Sequence, residues 1–267
     1  MSQPDATPHE ETRAESFEGE MTLFEHLAEL RRRLIYCIVA VLLGAIISWT
    51  FRNELFLFIL APLKAAAPSA EMAKVHYKDL TEPFFVLLKT SITAGIFLGL
   101  PVILWQVWNF IAPGLYKHER RIAVPFVFLA TIFFLIGASF CYYIVMPYGF
   151  EFLFLFSDPV STPNIMMQEH YGFALRLLLA FGAVFEMPVV AMFLSAIGLI
   201  THRTLIKYWR YSVVGAFVFA AVLTPPDVGT QLAMAIPLIF LYGVSIAVAW
   251  FFTRNREKRA AQEAAAK

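Results

Sequence analysis

The chain has 267 residues, of which 59% are hydrophobic and only 15% charged. That apolar share exceeds what a soluble domain of this length can bury, which excludes an ordinary soluble protein and points to lipid as the solvent. The net charge of +1 gives no reason to expect nucleic acid, and the information lies in where the charges fall.

The first residues hold Pro4, Pro8 and a series of acids from Asp5 to Glu18, with no apolar stretch of signal-peptide length. They read as a disordered acidic tail, 1–20, and such acidity argues against a transit peptide. Insertion then falls to the first internal apolar helix. A bilayer core of roughly 30 Å needs about 20 helical residues. Runs of that kind predict a membrane domain, 21–252, with six spans at 34–51, 84–111, 122–147, 171–199, 211–223 and 228–252, then a cytoplasmic tail, 253–267. The fifth run reaches only about 20 Å at 1.5 Å per residue, so either Trp209 and Arg210 extend it or the bilayer thins there.

Basic residues set the predicted orientation. Arg31, Arg32 and Arg33 precede span one; Lys117, Arg120 and Arg121 follow span two; Arg203, Lys207 and Arg210 follow span four; Arg254, Arg256, Lys258 and Arg259 follow span six. The segments 148–170 and 224–227 carry no Lys or Arg, and the long loop 52–83 balances its cations with acids. By the positive-inside rule both termini face the cytoplasm. Trp49, Trp105, Trp108, Trp209 and Trp250 fall near predicted helix ends, as headgroup anchors do. Pro101, Pro125, Pro188 and Pro237 should bend their spans. The predicted fold class is therefore an all-α integral membrane protein, six helices in a curved, cupped bundle. No internal duplication is visible, which disfavours a repeat-built transporter.

None of the six histidines falls at mid-bilayer, and Cys37 and Cys141 sit near opposite faces as small core residues. No haem pair, cysteine cluster, phosphate loop or zinc spacing appears, so no cofactor or metal is expected. Without a nucleophile and base pair, the chain is not expected to be an enzyme.

Four sets of polar groups remain. In the stretch 23–34, Leu23, Leu27, Leu30 and Leu34 recur at helical spacing and predict an amphipathic helix lying on the inner face. Glu25 and Glu29 project from it, and Glu29 can pair with Arg33 at i, i+4 for a few tenths of a kcal/mol. In the short inner loop, Glu119 is an acid among Lys117, His118, Arg120 and Arg121; alone it reads as a solvated partner of Arg120 or Lys117. With Glu29 it would give two carboxylates at one membrane face, suited to two guanidinium groups. Glu186, within span four, would cost on the order of 3 kcal/mol if charged, so it should be neutral, face the bundle or line a wet cavity. Pro225 and Pro226 make a tight turn, Asp227 is placed to cap span six, and Gln231 brings a polar group beside the short fifth span.

The segments His26-Leu27-Ala28-Glu29-Leu30-Arg31, Phe110 through Arg121, Ala180-Phe181-Gly182 with Phe185-Glu186-Met187-Pro188, and Leu223-Thr224-Pro225-Pro226-Asp227 resemble the signature segments of the TatC family in the same order and spacing. The resemblance runs from about Leu23 to Phe252. It implies a receptor in the bacterial cytoplasmic membrane that binds twin-arginine signal peptides of folded proteins. It also implies partners: TatA- and TatB-type single-helix proteins, further copies of the chain, and membrane lipid, with transport driven by the proton-motive force. The arginine-binding positions are those of Glu29 and Glu119, with Arg31 nearby; Glu186 becomes a polar feature of the concave face, and spans five and six, including Gln231, contact the partner helices. Arg176 departs from the pattern and has no assigned role. Two other readings stay open: a proton- or ion-coupled small-molecule transporter using Glu186, and a structural anchor subunit of a respiratory complex.

Overall fold

The computed structural model describes residues 23–111, 123–155, 163–223 and 228–265. Glu119, His118, Lys117, Pro225, Pro226 and Asp227 lie outside the described residues, as does the acidic tail.

Helix α1, Leu23–Thr50, is one continuous element. The amphipathic stretch expected to lie on the membrane as a helix of its own is instead the first three turns of this helix. Nothing between Arg31 and Ile35 can stop it, since no proline, glycine or capping residue intervenes. Its leucine stripe stays uncovered, with Leu27, Leu30 and Leu34 all exposed. α1 packs almost wholly along α3, Glu82–Ile111. At their crossing a Cβ on Gly95 would lie 2.5 Å from the Ala45 nitrogen, and one on Gly44 2.7 Å from the Gly95 oxygen. The two backbones touch there, an approach that small residues permit between helices in lipid.

The long loop 52–83 contains an unforeseen helix, α2, Arg52–Ala66. Pro62 lies inside it and cannot donate to the carbonyl of Phe58. The Tyr142 hydroxyl donates to that carbonyl instead, at 2.8 Å, and the Tyr171 hydroxyl donates to Phe56 O at 2.7 Å. Both tyrosine rings also stack on the phenylalanines they serve, at 4.2 and 4.6 Å. Beyond α2, β1 (Val75–His76) pairs in parallel with β2 (Ile165–Met166).

Span three runs past its predicted end at Pro147. α4, Ala123–Phe140, continues through a π-helical turn, Cys141–Val145, into α5, Met146–Leu155. The Met146 N–H reaches back five residues to Cys141 O, and this widened turn accommodates the donor that Pro147 lacks. Pro125 was expected to bend the span; it lies close to where the described part of α4 begins. Pro101 and Pro237 lie within continuous helices. Span four does break: α6, Met167–Phe185, ends at Glu186, and Pro188 is the second residue of α7, Met187–Ala196.

After the short α8, His202–Lys207, come α9, Trp209–Leu223, and α10, Val228–Ala265. Trp209 and Arg210 do extend span five, yet its 15 residues still reach only about 22 Å. α10 continues through the segment expected as a tail, whose Arg, Lys, Glu and Ala residues are strong helix formers. Among the described residues, five helical runs are long and apolar enough to cross a membrane, and α9 is a shorter apolar helix.

Tyr171, Phe181 and Met146 anchor the main core where α2, α4 to α6 and α10 meet. Trp108 is not a headgroup anchor; it is 2% exposed, packed between Phe126 and Phe193. The bundle has two ends. One carries the start of α1 and the end of α3, joined by the His26 and Phe110 rings stacked at 4.4 Å. The far end carries α2, the strand pair and the start of α6, with Trp49 against Phe84.

Candidate functional site

At the N-terminal end, α1 turns Glu29 toward the last turns of α3. Arg33 Nη2 donates to Glu29 Oε1 at 2.8 Å, and Arg33 Nη1 donates to Gln106 Oε1 at 3.1 Å. The i, i+4 pairing anticipated from spacing is therefore present, but it is sheltered, with the Glu29 side chain only 11% exposed. It is also incomplete. Glu29 Oε2 is buried without a hydrogen-bond partner among the described residues, and so is Arg33 Nε.

Gln106 escaped the sequence reading. The signal for it was a lone amide in the otherwise apolar run Val102-Ile103-Leu104-Trp105-Gln106-Val107. It fixes the Arg33 fork from one side while Glu29 holds it from the other, so the carboxylate is oriented from behind. A carboxylate offers about four lone-pair positions, and among the described residues nothing donates to those of Oε2. Arg31 is exposed on the same turns of α1.

Glu186 occupies the break between α6 and α7, one turn beyond Gly182. The latter packs on Phe134, which in turn meets Phe97 at the middle of α3. The acid is therefore near mid-bundle, half-buried, with Oε1 unpartnered among the described residues. The break follows from Pro188, whose missing N–H prevents the helix from closing over the preceding carbonyls. Gln231 serves as a tie between helices, since its Nε2 donates to Phe217 O at 3.1 Å and links α10 to α9. The geometry thus joins Glu29 with Arg33 and Gln106, and leaves Glu186 and Gln231 apart from them. Among the described residues no group of three or more metal-ligating side chains occurs.

The family profile for the Sec-independent protein translocase protein, TatC, matches residues 25–237. The chain belongs to the TatC family. It is 43% identical to the Sec-independent protein translocase protein TatC of Desulforapulum autotrophicum, an alignment covering 87% of this chain and 86% of that protein. It is 40% identical to that of Aquifex aeolicus, covering 89% of this chain and 98% of the relative. The fold is similar to the crystal structure of a twin arginine translocase receptor, TatC, with a TM-score of 0.76 at 40% identity, covering 84% of this chain and 98% of that one. The α-helical membrane fold expected from hydropathy is thus the fold of the family, and the family is that of a translocase component. The site residues take their meaning from the geometry above.

Proposed function

We propose that the chain is the signal-peptide receptor of a twin-arginine translocase in the bacterial cytoplasmic membrane, with both termini and the Glu29 end of the bundle facing the cytoplasm. The observation that carries this reading is the Glu29 carboxylate: sheltered, oriented by Arg33 and Gln106, with no donor to Oε2 among the described residues. One guanidinium of the signal peptide docks on Oε2, and the second docks on Glu119, with Arg31, Lys117 and His118 bordering the site. Charge-assisted bonds from a planar fork suit this acceptor better than those of an ammonium group. The apolar segment of the peptide then enters along the concave face of the bundle.

TatA- and TatB-type helices, recruited along α9 and α10, and further copies of the chain complete an assembly powered by the proton-motive force. No covalent chemistry is required of the chain. Site-specific crosslinking of signal peptides to the protein in membranes tests the reading. A paired-arginine peptide should crosslink at least tenfold better than its paired-lysine counterpart, and Glu29→Gln should erase most of that difference. Equal crosslinking of both peptides would sink it.

The unpartnered Glu186 Oε1 favours one second reading, a proton-coupled carrier. Substrate-dependent proton flux through the reconstituted chain alone, lost in Glu186→Gln, would establish that activity.

A further inference from the structure

Two cavities meet at the far end of the bundle. One, about 570 Å³, is almost wholly apolar and opens between α1, α3, α4 and α6 beneath α2, with Phe58, Phe97, Leu135 and Leu178 in its walls. The other, about 620 Å³, lies between α3 and α6 and is the more polar of the two, with Lys89 and Arg176 among its lining residues. Thr93 and Leu175 line both, so the two cavities adjoin along these side chains. Each volume is within the range of roughly 300–1,000 Å³ typical of small-molecule sites.

The charges of the polar cavity do not cancel. Its acids lie at the rim and are already committed. Glu82 Oε1 accepts from the Gln168 N–H at 2.7 Å and Oε2 from the Lys78 N–H at 2.9 Å, while Glu169 pairs with Lys78 Nζ at 3.6 Å. Lys89 and Arg176 each sit seven positions further along, about 10 Å deeper into the bundle at 1.5 Å per residue. Neither has a carboxylate within ion-pair distance among the described residues, and Arg176 spends only Nε, on the Gly172 carbonyl at 2.8 Å. Both cations are exposed and lie in the outer parts of apolar spans, where their charged ends can reach an anion at headgroup level. A guanidinium and an ammonium lining one cavity suit a phosphodiester.

We propose that the joined cavities bind one anionic phospholipid, its phosphate between Lys89 and Arg176 and one acyl chain passing Thr93 and Leu175 into the apolar cavity. The leaflet, outer, rests on the orientation proposed above; the binding does not. Arg176, otherwise without a role, becomes half of the headgroup site.

The test uses the full chain in mild detergent, stripped of lipid and then supplied with phosphatidylglycerol, phosphatidylcholine or inorganic phosphate. Native mass spectrometry should show one phosphatidylglycerol per chain, retained at least tenfold better than phosphatidylcholine, with inorganic phosphate giving no comparable thermal stabilisation. Lys89→Gln with Arg176→Gln should abolish the preference while leaving peptide crosslinking at the other end intact. If the pair fails to fold, Lys89→Gln alone should reduce the preference. Leu135→Trp, which fills the apolar cavity from a half-exposed wall, should weaken retention with both cations present. Equal retention of the two lipids, a preference that survives removal of the cations, or equal protection by free phosphate would overturn the proposal. Loss of twin-arginine crosslinking with lipid selectivity preserved would refute the receptor reading instead.

Discussion

The two ends of the bundle handle their buried carboxylates in opposite ways. At the far end, the Phe58 carbonyl orphaned by Pro62 is met by Tyr142, Phe56 O by Tyr171, and both oxygens of Glu82 by backbone N–H groups from the loop and from α6. At the N-terminal end, Glu29 Oε2 and Arg33 Nε have no described partner. An unmade hydrogen bond at a buried group costs about 1–3 kcal/mol. The far end closes its carboxylate and its freed carbonyl and is a clamp, with His170 Nε2 the exception that no described residue meets; at the N-terminal end it is the carboxylate itself that keeps an oxygen no described residue meets, as a site for a ligand does. The same carboxylate chemistry thus builds structure at Glu82 and receptivity at Glu29.

The largest expected effect comes from breaking what both ends share. The α1–α3 crossing at Gly44 and Gly95 aligns Glu29 with Gln106 at one end and Trp49 with Phe84 at the other. Gly95→Leu puts a branched side chain where even a Cβ would meet the Ala45 backbone. Overpacking should cost about 3 kcal/mol or more, given that one to three is common where atoms can still shift. Thermal unfolding in detergent should show the loss together with that of peptide crosslinking. If crosslinking survived, α1 would not need its present seat on α3.

Next is a contrast of function against stability. Glu29→Gln removes the charge that receives an arginine, and a hydrogen bond to a charged group is worth about 1.5–3 kcal/mol, so peptide affinity should fall roughly 10- to 100-fold. Its unfolding midpoint should barely move, because the amide oxygen still accepts from Arg33. Tyr142→Phe should do the reverse, losing about 1 kcal/mol of stability with peptide binding unchanged. The pairing of Tyr142 with Pro62 has a sharper consequence. Pro62→Ala restores an N–H able to reach Phe58 O, so it should recover most of the loss when added to Tyr142→Phe, an interaction readable in a double-mutant cycle. Additive losses would mean that Tyr142 acts through its ring alone.

Much of this was legible in the sequence. Spans depend on contiguous composition, so five of them, the short fifth span and the break at Pro188 could be read directly. The Glu29–Arg33 pair was visible because its partners are one helical turn apart. The far-end clamp was hidden because its bonds join residues 84 to 115 positions apart, where no local period reports them. Helix α2 was hidden for another reason: at 15 residues with an internal proline, it resembles neither a span nor an ordinary loop. Glu82 was read as one more balancing charge, when it is buried and bonded across the loop. The half-free state of Glu29 needed Gln106, whose position opposite Arg33 only the α1–α3 packing supplies.

The smallest expected effect separates structure from recognition at Gln231. Its bond to Phe217 O joins α10 to α9, and side-chain hydrogen bonds between helices in membranes average about 0.6 kcal/mol. Gln231→Leu should therefore lower the thermal midpoint only slightly, while keeping the side chain's bulk against α9. If α9 and α10 also receive a TatA- or TatB-type helix, the variant should lose crosslinking to that partner far beyond what its small loss of stability explains, with twin-arginine binding at Glu29 unaffected. Retained partner crosslinking together with the small stability loss would assign Gln231 to the same class as Tyr142, a residue that closes a polar gap within the chain. The contrast between clamped and receptive groups would then hold for Glu29 but not for the α9–α10 face.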